Sequence, residues 1–270
     1  MLQLTKKSSF ILGFYFALLI WWIGILISDI TDLKVNYMFG VSFGILPLVG
    51  GYLGIMTSKS WGLLRSYFGR AIFFVSLGLI TWGVGELIWS YYNLFLGVEV
   101  PYPSLADVGF VLSWPLWSVG MIYLSKATGA KYSVKRSYGK LLSFVIPAVS
   151  LWLTYYLVVV LANNGSLDIS GGPLATFFVF AYPVGDVVIL SLSLLSYGLS
   201  FGYLGGKYNI PIILLLLSFV VNYVGDVAFS YTTTAQTYFN GNWVDMVFTT
   251  AFFLMSFSIN MMVPPKDRNS

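Results

Sequence analysis

Long apolar segments separated by short polar breaks make up this chain. Runs of about 20 apolar residues, the length that crosses a bilayer core as an α-helix, recur eight times. Lys, Arg, Pro, Asn and Gly interrupt them. The pattern therefore predicts eight transmembrane helices, at residues 9–28, 37–57, 70–92, 104–125, 141–162, 174–199, 210–231 and 243–263.

Composition supports an all-α integral membrane protein with one membrane domain. Of the 270 residues, 58% are hydrophobic and 9% are charged, whereas soluble domains carry about 25% charged residues. Cys and His are absent, which excludes thiolate or imidazole metal sites and Ser-His-Asp or Cys-His nucleophile systems. We expect no cofactor, no metal centre, no catalytic residues of these kinds and no nucleic-acid partner; the lipid bilayer is the expected surrounding.

The basic residues indicate an orientation. Only Lys34 falls on one side of the predicted membrane, and the other thirteen of the fourteen fall on the opposite side. These are Lys6, Lys7, Lys59, Arg65, Arg70, Lys126, Lys131, Lys135, Arg136, Lys140, Lys207, Lys266 and Arg268. Because cytoplasmic loops carry the excess of Lys and Arg, we predict a cell-membrane protein with both termini in the cytoplasm. The basic loop 126–140 is also the candidate contact for anionic lipid or for a cytoplasmic or membrane protein partner.

Two motifs occur twice and indicate an internal repeat. Residues 85–91 and 225–231 both read G-[ED]-x-x-[WF]-S-Y, 140 positions apart, and residues 107–110 are answered by residues 245–248 at an offset of 138. The predicted repeats are residues 1–130, with helices one to four, and residues 131–270, with helices five to eight. Four helices per repeat is an even number, so the two halves should have the same orientation in the membrane.

Five of the ten acidic residues fall within the predicted helices or at their ends: Glu86, Asp107, Asp186, Asp226 and Asp245. A charged side chain at the centre of a membrane helix costs about 2.5–3.5 kcal/mol on insertion scales. One interpretation is that these carboxyl groups form hydrogen bonds that pack the helices together. For Asp107 and Asp245 a second interpretation is an N-cap or first-turn acid that interacts favourably with the helix dipole. Their repeated placement in the outer half favours a polar cavity open to the outside.

Polar and aromatic neighbours at helical spacing extend this candidate site. Asn222, Asp226 and Ser230 share one helix face, as do Trp82, Glu86 and Ser90. Aromatic rings nearby could line the cavity and offer faces to a cation. The predicted ligand-binding residues are Glu86, Asp107, Asp186, Asp226, Asp245, Asn222, Ser90, Ser230, Tyr91, Tyr182, Tyr231 and Trp82.

Two strings carry a resemblance to a known class of protein. PYPSLADVGFVLSWPL at residues 101–116 and AYPVGDVVILSLSLL at residues 181–195 resemble the multi-span N-terminal regions of prokaryotic membrane signalling proteins. Those regions often precede a diguanylate cyclase or kinase module. The resemblance implies a sensory or ligand-binding membrane module. No output module follows here before Ser270, so we expect signalling to need a separate partner.

Three functional hypotheses follow. The first is a non-enzymatic membrane sensor or ligand-binding module with an acidic, aromatic-lined cavity that faces outward. The second is a cation- or proton-coupled transporter of a small solute, with Glu86, Asp186 and Asp226 as binding and relay groups. The third is an intramembrane lipid hydrolase that uses carboxylates as general acid and base. An enzyme is the less favoured class because no nucleophile or metal motif is evident, and few polar residues in the inner half disfavour a path through the membrane.

Overall fold

Eight long helices form the protein in this computed structural model. The structure describes residues 4–28, 33–129, 137–200 and 208–265, and these contain no β-strand. The helices are α1 Lys6–Ile27, α2 Leu33–Ser60, α3 Tyr67–Tyr91, α4 Leu105–Ala127, α5 Ser137–Thr154, α6 Gly172–Ser200, α7 Asn209–Thr234 and α8 Trp243–Met261. A π-helix continues α3 over Tyr92–Leu96 and α5 over Tyr155–Ala162, and a short 3-10 helix spans Leu63–Arg65.

The prediction of eight helices is confirmed. Each predicted span coincides with one helix, and all eight are long and apolar enough to cross a membrane. Large apolar side chains lie exposed along α1 and α5, for example Phe16, Ile20, Phe144 and Trp152. A water-soluble protein would bury such rows of side chains, whereas lipid accommodates them. The chain is therefore a multi-pass membrane protein by its length and apolar composition.

Helix α8 lies at the centre of the bundle. It packs against α1, α2, α3 and α7. In its most apolar stretch of 18 residues, 83% of the residues are buried. Small residues permit this close packing, because Gly50 of α2 faces Ser256 of α8. Around this centre α3 packs between α2 and α4, α4 packs on α6, and α6 packs on α5 and α7.

Hydrogen bonds define the two ends of the bundle. At one end Thr5 donates to the Asn260 carbonyl, Trp61 to that of Met262 and Tyr208 to that of Val263. At the other end Trp22 donates to the Gly241 carbonyl, Trp89 to the Asn240 side chain and Asn163 to Ser230. We call the first the basic end and the second, with connections 97–104, 163–171 and 235–242, the acidic end.

Charges divide between these ends. Of the eight basic residues that the structure describes, seven lie at the basic end, and Lys34 lies exposed at the start of α2 at the acidic end. Of the seven described acids, six lie towards the acidic end, and Asp186 lies near the middle of α6. Residues 130–136 of the basic loop, and Lys207, Lys266 and Arg268, lie outside the described residues.

Candidate functional site

The five carboxylates of the spans form two groups on different helices. The first, called here the dyad cluster, contains Asp107 of α4, Tyr182 and Asp186 of α6, and Asn222 and Asp226 of α7. The second, called here the Glu86 cluster, contains Asn36 of α2, Glu86 and Ser90 of α3, Asn240 of the α7–α8 connection and Asp245 of α8. Each group draws side chains from at least three elements that are distant in sequence.

In the dyad cluster two carboxyl groups touch. The side chains of Asp186 and Asp226 are in hydrogen-bonding contact between α6 and α7. A carboxylate can only accept, so such a contact requires a proton on one of the two groups. Asn222 donates from its Nδ2 to Asp226 Oδ2 at 2.7 Å, along the helix face that the sequence predicted for these two residues.

Two buried acceptors in the dyad cluster have no donor. Asp186 Oδ1 and Asn222 Oδ1 are both buried, and neither finds a hydrogen-bond partner among the described residues. Leaving a buried polar atom unpaired costs about 1–3 kcal/mol. Among the described residues, the dyad cluster therefore has more acceptors than donors.

Asp107 and Tyr182 form the edge of the dyad cluster nearest the acidic end. The hydroxyl of Tyr182 donates to Asp107 Oδ1 at 2.7 Å, and the Ser104 backbone N–H donates to Asp107 Oδ2 at 2.6 Å. Asp107 is the third residue of α4 and completes a capping box with Ser104. Its carboxylate thus joins the start of α4 to α6.

Asp245 is held in a similar way at the start of α8. The Gly241 N–H donates to Asp245 Oδ2 at 2.6 Å, and the Tyr238 hydroxyl donates to Asp245 Oδ1 at 2.9 Å. Burial, together with the charges of Asp245 and Glu86, raises the pKa of Tyr238 well above its usual value. Tyr238 therefore stays protonated and remains a donor.

Glu86 lies between α2 and α3 and is only 6% exposed. A glycine in α2 makes room for it, since a Cβ on Gly44 would lie 2.7 Å from Glu86 Cγ. The Ser90 hydroxyl, one turn along α3, hydrogen-bonds the carboxylate. Trp82, one turn in the other direction, packs in an aromatic layer with its ring centroid 3.9 Å from that of Phe252.

Four predicted site residues lie outside both clusters: Trp82, which packs in the aromatic layer, and Tyr91, Ser230 and Tyr231. Tyr91 and Tyr231 are each about half exposed, at 51% and 50%. Tyr231 lines an apolar surface cavity of about 290 Å³ between α5 and α7, with Leu157, Leu161, Tyr223, Val224, Val227 and Ala228. Ser230 accepts a 3.0 Å hydrogen bond from Asn163 and so ties the α5–α6 connection to α7. That all five acids share one outward-facing cavity stays a prediction.

Sequence reasoning did not select Asn36, Tyr238 or Asn240. All three are uncharged, and two of them lie in the polar break between predicted spans, where Asn and Tyr are common. Only the fold places them beside Glu86 and Asp245. No pattern in the sequence could have separated them from other loop residues.

No protein-family model, no curated protein and no solved structure matches this chain. Within the described ranges, no group of three or more acidic side chains is arranged to hold a metal ion. The function therefore has to be argued from the chemistry of the two clusters.

Proposed function

We propose that this protein is a multi-pass membrane sensor or ligand-binding module, and that its dyad cluster binds protons or a small cation. The observation that carries the proposal is the contact between the carboxyl groups of Asp186 and Asp226. The unpartnered oxygens of Asp186 and Asn222 beside it add to the excess of acceptors.

The missing partner of such a cluster is a positively charged or hydrogen-donating group. Carboxyl and amide oxygens attract a proton, a hydrated cation or an ammonium group, and they repel anions. An exchangeable cation or proton is therefore the partner that best fits the cluster.

Charge asymmetry supports an orientation in which the acidic end faces outward. With thirteen basic residues on the other side, both termini lie in the cytoplasm. In this orientation the dyad cluster receives its ligand from outside. A signal would reach the cytoplasm through helix movement and the basic loop 126–140, the proposed contact for a protein partner.

Corresponding contacts support the two parallel repeats. A Cβ on Gly85 would lie 2.8 Å from the ring of Phe110, and a Cβ on Gly225 would lie 2.7 Å from the ring of Phe248. These four residues are the ones that the repeated motifs pair. Helices α3 and α4 thus meet through the same residue types as α7 and α8.

Transport of a proton or small cation is a second candidate, because polar atoms continue inward along α6. The hydroxyls of Ser191 and Ser193 are buried and have no partner in the described part of the chain. Ser193 lies about two turns beyond Asp186 on α6. Ser196, one turn further, is hydrogen-bonded to the Ser125 hydroxyl at 2.6 Å. Such hydroxyls could pass a proton through water molecules.

The test of the first proposal is a set of thermal melts of the whole protein in detergent. Asp186→Asn, Asp226→Asn and the double variant are compared with wild type from about pH 5 to about pH 9, with and without Na⁺, K⁺ or tetramethylammonium. Asn matches Asp in shape and cannot release a proton, so we expect all three variants to fold. The stability of the wild type should depend on pH more steeply than that of the double variant.

Asp168→Asn is the matched control, since Asp168 is an exposed acid of the α5–α6 connection. Its pH profile and cation response should equal those of the wild type. If the double variant keeps the wild-type pH profile and every cation response, the dyad cluster is not the site. Flux measurements in proteoliposomes then separate the two candidates: a transporter carries current or acidifies the lumen, and Asp226→Asn stops it, whereas a sensor carries no flux.

A further inference from the structure

A space beside Gly40 of α2 is surrounded by oxygen atoms. A Cβ placed on this glycine would lie 3.5 Å from Ser90 Oγ, 3.7 Å from Glu86 Oε1 and 4.0 Å from Asn240 Oδ1. The three oxygens come from α3 and from the α7–α8 connection, and they converge on one point. The glycine leaves that point without a side chain.

A fourth oxygen belongs to Asn36, one helical turn before Gly40 on the same face of α2. Asn36 is 4% exposed, and its Oδ1 has no hydrogen-bond partner in the residues described. Its Cγ would lie 3.5 Å from a Cβ on Gly241, so its amide sits against the connection that carries Asn240. A buried acceptor without a donor leaves room for a hydrogen-donating or positively charged partner.

The surrounding hydrogen bonds hold these oxygens in place. Trp89 Nε1 donates to Asn240 Oδ1 at 3.1 Å, which leaves the second lone pair of that oxygen free. Trp22 Nε1 donates to the Gly241 carbonyl at 3.1 Å and fixes the connection to α1. Each carboxylate oxygen of Asp245 accepts one hydrogen bond, from the Tyr238 hydroxyl or the Gly241 N–H, and neither is among the three atoms nearest to a Cβ on Gly40. The hydrogen bonds from Trp22 and Trp89 tie α1, α3 and the α7–α8 connection together around the Gly40 position.

We propose that the Glu86 cluster is a binding site for a monovalent hard cation, with Na⁺ as the ion that fits its chemistry. Its ligands are the Glu86 carboxylate and the neutral oxygens of Ser90, Asn36 and Asn240. Divalent Ca²⁺ takes six to eight oxygens at about 2.3–2.6 Å, usually with several carboxylates. One available carboxylate with neutral oxygens suits a single positive charge.

The proposed cation lies between the Gly40 backbone and α3. It lies closer to the three oxygens than a Cβ on Gly40 would. The site uses none of the residues of the dyad cluster, so it goes beyond the function proposed above. Sodium ions bound between α2, α3 and the α7–α8 connection would stabilise the contact among the three. The site thus couples the cation concentration outside to the packing of the central helix α8.

Gly40→Ala provides a direct test. The added methyl group would make only ordinary contacts, at 3.5 Å or more, so the variant should fold, but the methyl group occupies the space beside the oxygens. Gly24→Ala is the matched control, because a Cβ on that helical glycine of α1 meets nothing within 4 Å. Glu86→Gln removes the charge and keeps the shape.

The readout is the melting temperature of the whole protein in detergent, with NaCl compared with choline chloride at equal ionic strength. At about 100 times the Kd, Na⁺ should raise the wild-type Tm by about 5 °C. The rise should be lost in Gly40→Ala and Glu86→Gln and kept in Gly24→Ala. Titration calorimetry should give one Na⁺ per chain at this site.

Two results would overturn the proposal: no Na⁺-dependent shift in the wild type, or a full wild-type shift in Gly40→Ala. Asp226→Asn separates this site from the dyad cluster. The Asp226→Asn variant should keep the Na⁺-dependent rise in Tm that Gly40→Ala loses. If instead Asp226→Asn abolishes the whole shift, the sodium ion binds at the dyad cluster and the Glu86 cluster is empty of cations.

Discussion

Helices α2 and α8 cross so closely at Gly50 that a methyl group added there has no room. A Cβ on Gly50 would overlap the side chain of Ser256 and would lie 3.3 Å from the Ser256 Cα. A rotamer change can move the serine hydroxyl, but it cannot move the serine Cβ or the backbone of α8. Gly50→Ala must therefore push the central helix away from α2.

Two opposing effects set the magnitude. Alanine in place of glycine inside a helix stabilises by about 0.5–1 kcal/mol, and overpacking of a well-packed core costs about 1–3 kcal/mol. Because the overlap includes the Ser256 Cβ, which no rotamer change can move, we expect the upper half of that cost and a net destabilisation of about 1–2.5 kcal/mol. Ser256→Gly should rescue the variant, since it removes the overlapping atoms and its Oγ has no partner in the described residues.

Reversible unfolding in mixed micelles, followed by tryptophan fluorescence, measures these differences. Gly24→Ala is again the control and should be as stable as the wild type or slightly more stable. The double variant Gly50→Ala/Ser256→Gly should show a favourable coupling energy of about 1–3 kcal/mol. Equal stability of Gly50→Ala and Gly24→Ala, or no coupling in the double variant, would show that the crossing is looser than described.

Three further predictions concern the acidic end and the orientation. Tyr238→Phe removes the 2.9 Å hydrogen bond to Asp245 and should lower the unfolding free energy by about 1–3 kcal/mol in the same unfolding assay. Burial and a nearby carboxylate raise the pKa of Tyr102 to about 12. Its contribution to stability is therefore complete below the unfolded pKa of about 10 and lost as the pH rises towards 12. An absorbance titration of wild type and Tyr102→Phe should show this late ionisation. The chain has no cysteine, so an impermeant thiol reagent applied to cells should label Glu99→Cys and leave Lys59→Cys unlabelled.

The spans could be predicted because hydropathy over about 20 residues depends on the local sequence alone. The ends of the helices could not be predicted, because they depend on contacts with particular residues elsewhere in the chain. Helix α2 begins at Leu33 although Lys34 and Asn36 are polar, and Asn36 is buried against the α7–α8 connection. Helix α3 continues to Leu96 as a π-helix, beyond the apolar window that ended at residue 92.

Helical spacing predicted part of the candidate site. The bond between Asn222 and Asp226 lies within one helix face, and the contact of Ser90 with Glu86 does so too. The pairing of Asp186 with Asp226 depends on which helices are neighbours, and periodicity carries no such information. Trp82 shares a helix face with Glu86, but its ring turns into the aromatic layer, because side-chain direction is set by the packing partners.

The two halves carry different residues at the position that two of their prolines align, and the second half has a carboxyl group there. Pro47 of α2 and Pro183 of α6 align at an offset of 136, which pairs Gly50 with Asp186. In the first half the glycine allows α8 to pack closely, and the oxygens nearest to Gly40 beside Glu86 are those of Ser90 and Asn240. In the second half the carboxyl group of Asp186 meets that of Asp226. If the halves are repeats, as proposed, the extra carboxyl group of the second half changes the chemistry of its cluster: one carboxylate with amide and hydroxyl oxygens suits a cation, and two carboxyl groups in contact suit a proton.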